Sequence, residues 1–340
     1  MDLKLFNYTL PKRLIAQTPL IKRDSSRLLI LNKKNGGIKH DFFYNIADYL
    51  DSKDVLVIND SKVINARIFG TKEETGAKIE CFILEKNNNN NFIALLRPSK
   101  KIKTGNRVFL NKDESDYFEV VEKLLEGKAL INFNICPAKV FEKYGQVPLP
   151  PYIKSRNFDN SFYQTVYARK EGSTAAPTAG LHFTKELIKK LKEKGVIFAK
   201  VNLEIGLDTF KPITEENIED HKIHSEKYNF TESNAKKILD AKAVGGKVIA
   251  VGTTATRVLE TVSSLYGKIK NSSGRSSLYI YPGYEFNITD SLITNFHLPK
   301  STLLVMVSAF AGRENILNAY ENAIKNNYRF YSFGDCMLIK

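Results

Sequence analysis

The sequence predicts an α/β fold: a domain with a mostly parallel sheet, interrupted by a small inserted β-barrel. Three observations carry this. The run Asp54-Val-Leu-Val-Ile58 is short, apolar and bounded by polar residues, the pattern of a strand buried on both faces. From Ile68 to Phe133, β-prone runs recur at near-regular spacing between turn-rich segments, which is the texture of a small barrel or sandwich. Beyond Val147-Pro-Leu-Pro-Pro-Tyr152, helical and strand patterns alternate, as they do where helices cover a parallel sheet. Because the first strand precedes the all-β stretch, the barrel (67–150) is expected to split the α/β domain into 1–66 and 151–340.

The strand over Val55–Ile58 is expected to end at Asn59-Asp60-Ser61, and polar side chains at a strand's carboxyl end are well placed for a site. Within the insertion, strands are expected over Lys78–Leu84, Phe92–Leu96, Arg107–Leu110, Tyr117–Glu122 and Ala129–Phe133, with Asn87–Asn91 as an exposed hairpin loop. Thr184 is positioned to cap a helix over Lys185–Lys194 that Gly195 stops, and a strand over Val196–Leu203 follows. Thr231 is positioned to cap a helix reaching Ala243. Gly245-Gly246 then turns the chain into a strand over Lys247–Val251, and Gly252-Thr-Thr254 leads into a helix over Ala255–Leu265. The remaining pattern predicts strands at Leu278–Tyr281 and Ser291–Thr294, helices over Thr302–Phe310 and Glu314–Asn326, and closing strands near Tyr328–Phe333 and Cys336–Ile339.

Composition narrows the function classes. With 340 residues and 43% hydrophobic content the chain can bury a sizeable core. Its most apolar stretch, Leu303–Ala311, is far shorter than the roughly 20 residues a spanning helix needs, so no membrane association is expected. The first residues mix acids, lysines and a proline instead of leading a basic stub into an apolar block, which argues against secretion. Cys81, Cys136 and Cys336 are odd in number and far apart; they suit a reducing, cytoplasmic setting and exclude a disulfide framework or a Cys-x-x-Cys motif. A net charge of +14 fits a polyanionic partner such as RNA, although the excess is spread along the chain, as compositional drift also produces.

Four segments stand out as able to carry chemistry. In Gly172–Thr184, small residues and a proline lead through Gly180 and His182 into a helix start. Ser173 and Thr178 offer hydroxyls there, Gly180 permits close backbone approach and His182 titrates near neutral pH; the competing view is a structural loop with a satisfied histidine. Val248–Thr254 runs from a strand into a helix and presents amides, Thr253 and Thr254 at a helix N-terminus, with Arg257 one turn later, although a plain strand-to-helix turn reads the same way. Thr294–Thr302 gathers Asn295, His297, Lys300 and Ser301 around a proline turn, where Ser301 could instead simply cap the next helix. His221-x-x-His224-x-Glu226 has a spacing that invites a metal, but no third ligand is suggested nearby and none is expected. Fingerprints of nicotinamide dehydrogenases, phosphate-loop enzymes and α/β-hydrolases do not occur.

Ala16-Gln17, Ser26-Arg27-Leu-Leu29, Val57–Val63 with Ala66-Arg67, Val147–Tyr152, Ala176–Thr184, His224-Ser-Glu226, Val251–Thr254, Thr294–Leu304 and Tyr328–Asp335 together resemble one family almost end to end. It is the S-adenosylmethionine:tRNA ribosyltransferase-isomerase family of queuosine biosynthesis. The chain departs from the family pattern at Glu204, where a histidine is expected, and at Asp208, where glycine is. The resemblance implies an α/β domain plus a small barrel, and two substrates: S-adenosylmethionine and a tRNA carrying 7-aminomethyl-7-deazaguanine at the wobble position. The implied products are epoxyqueuosine, adenine and methionine.

In that chemistry the sulfonium acidifies the ribose C5′ protons, so His182 or His297 is the expected base or proton shuttle, with Asp60 orienting a hydroxyl or taking the amine's proton. Thr253, Thr254 and Arg257 would hold the methionyl or ribosyl end, and Lys300 with Ser301 the sugar or phosphate oxygens. S-adenosylmethionine is consumed, so no cofactor or metal is expected, nor an obligatory protein partner; a monomer is expected. Two rivals remain open: an S-adenosylmethionine-dependent tRNA methyltransferase, and a non-catalytic RNA-binding protein.

Overall fold

The computed structural model describes residues 1–88, 90–155, 157–206 and 212–340. In chain order its strands are β1 (Arg27–Leu31), β2 (Ile38–Phe42), β3 (Val55–Asn59), β4 (Ser61–Val63), β5 (Arg67–Lys72), β6 (Lys78–Lys86), β7 (Asn91–Arg97), β8 (Arg107–Phe109), β9 (Tyr117–Lys123), β10 (Lys128–Phe133), β11 (Lys170–Ser173), β12 (Ile197–Leu203), β13 (Glu226–Phe230), β14 (Val248–Val251), β15 (Ser272–Ser276), β16 (Ser291–Asn295) and β17 (Cys336–Ile339). The α-helices are α1 (Pro137–Lys143), α2 (Lys185–Glu193), α3 (Glu232–Ala243), α4 (Thr253–Tyr266), α5 (Thr302–Ala311) and α6 (Arg313–Lys325). The chain divides into two compact units: Met1–Ser61 with Pro150–Lys170 and Ala176–Lys340, and Lys62–Leu149 with Glu171–Ala175.

The first unit is built on a nine-stranded mixed sheet in the order β15-β13-β12-β3-β14-β16-β17-β1-β2. At its centre β12, β3, β14 and β16 are parallel, with Val55 opposite both Ile197 and Val248, and Ile249 opposite Ser291. Their carboxyl ends therefore emerge along one edge, the edge where sheets of this kind bind ligands. All five residues of β3 are buried, as its unbroken apolar run requires. On one face Leu56, Ile58, Ile249 and Val251 pack with Phe43, Ile46, Phe183, Leu187 and Leu191 into a single core. Strand alternation points Val55, Val57 and Ala250 to the opposite face. The last strand, β17, is antiparallel to β16 and parallel to β1.

Several helix ends follow their expected chemistry. Thr184 accepts from the Leu187 N–H at 3.0 Å, and Gly195, at φ 99°, turns the chain after α2. Helix α4 starts earlier than expected, so Thr253 and Thr254 occupy its first turn behind Gly252 at φ 88°. Thr231 does not cap α3 with its side chain; its Oγ1 accepts from Asn234 Nδ2 at 2.7 Å instead.

The second unit is a closed antiparallel barrel in the order β10-β7-β6-β5-β8-β9. Burial alternates along β7 and β10, and Phe92, Phe118 and Phe133 meet edge to face inside, Phe133 lying 5.6 Å from Phe92 and 6.2 Å from Phe118. Asn87 and Asn88 are exposed in the β6–β7 hairpin.

Two expected strands are absent. Leu278–Tyr281 is not in the sheet; the pairing partner of β13 is the polar segment β15, and the Leu278 carbonyl accepts from Arg257 Nε at 3.3 Å. In Tyr328–Phe333 only Phe330 makes a bridge, because Tyr331 at φ 71° breaks the extended path.

Candidate functional site

The carboxyl edge of the parallel strands holds a small cavity of about 40 Å³ that opens to solvent. Ile205 lies beyond the end of β12, Gly252, Thr253 and Thr254 follow β14, and Thr294, Asn295 and His297 come from the end of β16 and just beyond. Ala176–Ala179 and Leu303 complete the lining. A Cβ on Gly252 would lie 3.5 Å from Ala179, so its positive φ, more than its lack of bulk, makes glycine necessary at this corner.

Two buried polar atoms of the lining residues lack a hydrogen-bond partner among the described residues: Thr254 Oγ1 and Asn295 Oδ1. Buried polar atoms are nearly always paired with protein or ordered water, so these two are the lining atoms left for a water or a ligand group to satisfy. The first turn of α4 adds free backbone N–H groups suited to a carboxylate.

Both histidines are buried and neutral at physiological pH. His182 Nε2 meets Asn295 Nδ2 at 3.2 Å and its Nδ1 meets Ser26 Oγ at 2.8 Å. The amide donates, so Nε2 accepts and Nδ1 carries the proton. Burial, reinforced by Arg329 and Arg23, pushes His182 down to about 3. Burial alone pushes His297 down to about 3. Its Nε2 meets Thr294 Oγ1 at 2.8 Å, while its Nδ1 has no hydrogen-bond partner among the described residues.

Of the residues singled out from the sequence, Thr178, Thr253, Thr254, Asn295 and His297 line this cavity. His182 reaches it through Asn295. Asp60 follows β3 at the same edge, buried, and accepts a long 3.4 Å bond from Asn202 Nδ2. Lys300 adopts φ 57°, its N–H bonds the Phe6 carbonyl at 2.9 Å, and it does not line the cavity.

Four expectations need correction. Arg257 is not free to bind a carboxylate: it forms a buried ion pair with Glu226 and donates to the carbonyls of Leu278 and Ser276. Glu226 Oε1 in turn accepts from the Gly206 N–H at 2.9 Å, so the pair anchors the segment carrying Ile205. Ser301 caps α5, accepting from the Leu304 N–H at 3.2 Å and donating its only proton to the Leu298 carbonyl at 2.7 Å, so it has no proton left to give a ligand. Gly180 serves packing: an added Cβ would fall 1.9 Å from Tyr167 Oη. Ser173 is fully buried within the barrel unit and donates to the Ala175 carbonyl at 2.7 Å.

Among the described residues no group of three or more His, Cys, Asp and Glu side chains converges as a metal site, and His221 Nδ1 bonds Glu215 Oε2 at 2.9 Å. No described helix is long and apolar enough to cross a membrane. Asp208 lies outside the described residues.

The family model described as "Queuosine biosynthesis protein" matches residues 3–339. The chain belongs to this family. Among its relatives, the S-adenosylmethionine:tRNA ribosyltransferase-isomerase of Staphylococcus haemolyticus is 48% identical over 341 residues, covering all of both chains. The protein of the same name from Caldanaerobacter subterraneus subsp. tengcongensis is 50% identical over 336 residues, 98% of each. The crystal structure of an S-adenosylmethionine tRNA ribosyltransferase from Thermotoga maritima is 36% identical and superposes with a TM-score of 0.58, covering 99% of this chain and 100% of that one. The barrel and mixed sheet are thus features of a queuosine biosynthesis protein.

Ser26, Glu226 and Ile205 contribute to the site yet received no role from the sequence. Ser26 and Glu226 fall inside segments of the family pattern, Ser26-Arg27 and His224-Ser-Glu226, and Glu226 also ends the His221-x-x-His224-x-Glu226 spacing that was set aside as a metal site.

Proposed function

We propose that this protein is an S-adenosylmethionine:tRNA ribosyltransferase-isomerase. It moves the ribosyl moiety of S-adenosylmethionine onto 7-aminomethyl-7-deazaguanine at the tRNA wobble position and releases adenine and methionine. The observation that carries this is the match over 3–339, with relatives of that name about half identical from end to end.

The donor fits the cavity on chemical grounds. Its carboxylate belongs at the α4 N-terminus with Thr253 and Thr254, and its hydroxyl or amino groups can donate to Asn295 Oδ1 and share Thr254 Oγ1. His297, unprotonated and with Nδ1 unengaged, is the base for the C5′ proton. Its low basicity reflects the cost of creating a charge in a dry site. Removing a proton next to a sulfonium only moves a positive charge already present, so most of that cost does not recur. Adenine then departs with opening of the ribose ring, the neutral amine attacks the sugar carbon, and methionine leaves as the epoxide closes. His182 orients Asn295, Asp60 takes the amine's proton, Thr178 borders the donor, and Lys300 is the cation available to phosphate oxygens. No metal or redox cofactor enters, because the sulfonium supplies its own leaving group. We assign the protein to the cytoplasm as a monomer with no obligatory protein partner.

Incubation with S-adenosylmethionine and an anticodon stem-loop bearing the aminomethyl base should release adenine and methionine together, read by chromatography. S-adenosylhomocysteine as the product would identify a methyltransferase. Stem-loop binding without any turnover would identify an RNA-binding protein.

A further inference from the structure

His297 is held by its main chain as well as by its ring. The Tyr8 hydroxyl donates to the His297 carbonyl although 289 residues separate the two, and the His297 N–H donates to Tyr320 Oη at 2.9 Å. The peptide groups on both sides of the His297 Cα are therefore gripped by tyrosine hydroxyls. At the far end of the same turn the Lys300 N–H donates to the Phe6 carbonyl at 2.9 Å. Lys300 sits at φ 57°, a left-handed conformation that a residue with a side chain keeps only where its surroundings hold it. The N-terminal segment Phe6–Tyr8 thus fastens the turn that carries the histidine at two points.

Packing fixes Tyr8 for this task. Its ring meets Tyr320 edge to face at 5.1 Å and Phe330 at 6.2 Å. The chain beyond it is tied to the same phenylalanine: the Phe330 N–H donates to the Leu14 carbonyl at 2.8 Å, and the Ala16 N–H to the Phe330 carbonyl at 3.2 Å. Burial, reinforced by Tyr320 and Tyr331, pushes the Tyr8 hydroxyl well above its usual range, so it keeps the proton it donates. Tyr8 does not line the donor cavity. What it controls is where the imidazole leaves the backbone. With Nε2 already engaged by Thr294 Oγ1, that sets the position of Nδ1. A shift of about 1 Å in a reacting group can cost on the order of a hundredfold in rate.

We infer that Tyr8 is a positioning residue for ribosyl transfer: its hydroxyl fixes the main chain of His297, and with it the place of Nδ1, without touching the donor. This rests on the reading of His297 as the base.

The test is a double-mutant cycle on adenine release at saturating S-adenosylmethionine and modified stem-loop, with donor binding followed by calorimetry. Tyr8→Phe keeps the packed ring and removes only the hydroxyl. It should bind S-adenosylmethionine at unchanged stoichiometry and within twofold of wild-type affinity, while kcat falls about tenfold. In the His297→Ala background, where no imidazole is left to position, the same change should cost less than twofold. An unchanged kcat in Tyr8→Phe overturns the inference, as does a loss confined to donor affinity or a loss equally large in both backgrounds. Should His297→Ala leave no measurable turnover, the split between kcat and affinity in Tyr8→Phe decides. Full turnover in His297→Ala would instead remove the base assignment beneath the inference.

Discussion

Acidification should unfold the α/β unit early, and His182 should account for a measurable share of that sensitivity. His182 is 4% exposed and held at about 3, whereas an unfolded histidine titrates near 6.5. Between those two values the unfolded chain binds a proton that the folded chain does not, so stability falls as pH drops through 6.5 and the loss is complete only below about 3. From pH 7 to pH 5 the expected loss is about 2 kcal/mol for this one histidine. His297, held at about 3 by burial, adds a similar amount. The experiment compares urea unfolding of wild type and His182→Gln at both pH values, followed by helical circular dichroism, which reports mainly on the unit containing α2–α6. Whatever the substitution costs at pH 7, the variant's change between pH 7 and pH 5 should be smaller than wild type's by about 2 kcal/mol. The other histidines cancel in that difference. Equal pH dependence of the two proteins would show that His182 titrates normally in the fold, and the assignment of a neutral, Nδ1-protonated ring would fall with it.

Other perturbations separate binding from scaffolding. Glu226→Gln leaves Arg257 charged and buried without its carboxylate, so thermal or urea melts should show a loss of about 3–5 kcal/mol. Thr254→Val removes a hydroxyl without a partner among the described residues, so stability should hold or rise while affinity for S-adenosylmethionine, read by calorimetry, falls about tenfold. Ser301→Ala should cost about 1 kcal/mol of stability through the lost α5 cap, and kcat on folded protein should be unchanged.

The elements legible in the sequence were those whose burial pattern is local. The run at β3 and the alternation in β7 and β10 announce themselves because each strand's faces are decided by its own residues. β15 was missed because Ser272–Ser276 is a polar edge strand held by pairing with β13, and polar edges carry no apolar period. The site divides the same way. Thr253, Thr254, Asn295 and His297 could be read from their places at strand ends. The role of Arg257 could not, because its partner Glu226 lies 31 residues away on a strand that the pattern did not predict. Ser26, His182 and Asn295 meet across separations of 156 and 113 residues, a convergence that only the sheet order creates.

The order of the sheet also has a temporal consequence. Among the described residues, the hairpin of β1 and β2 joins the rest of the sheet solely through β17, which is made roughly 300 residues after β1. At typical synthesis rates of about 5–20 residues per second, Leu28–Leu31 waits on the order of 15–60 s with one long edge uncovered. During translation the nascent protein therefore carries an apolar strand seeking a partner, and this interval is where a chaperone or a neighbouring nascent chain would compete with Cys336–Ile339 for it.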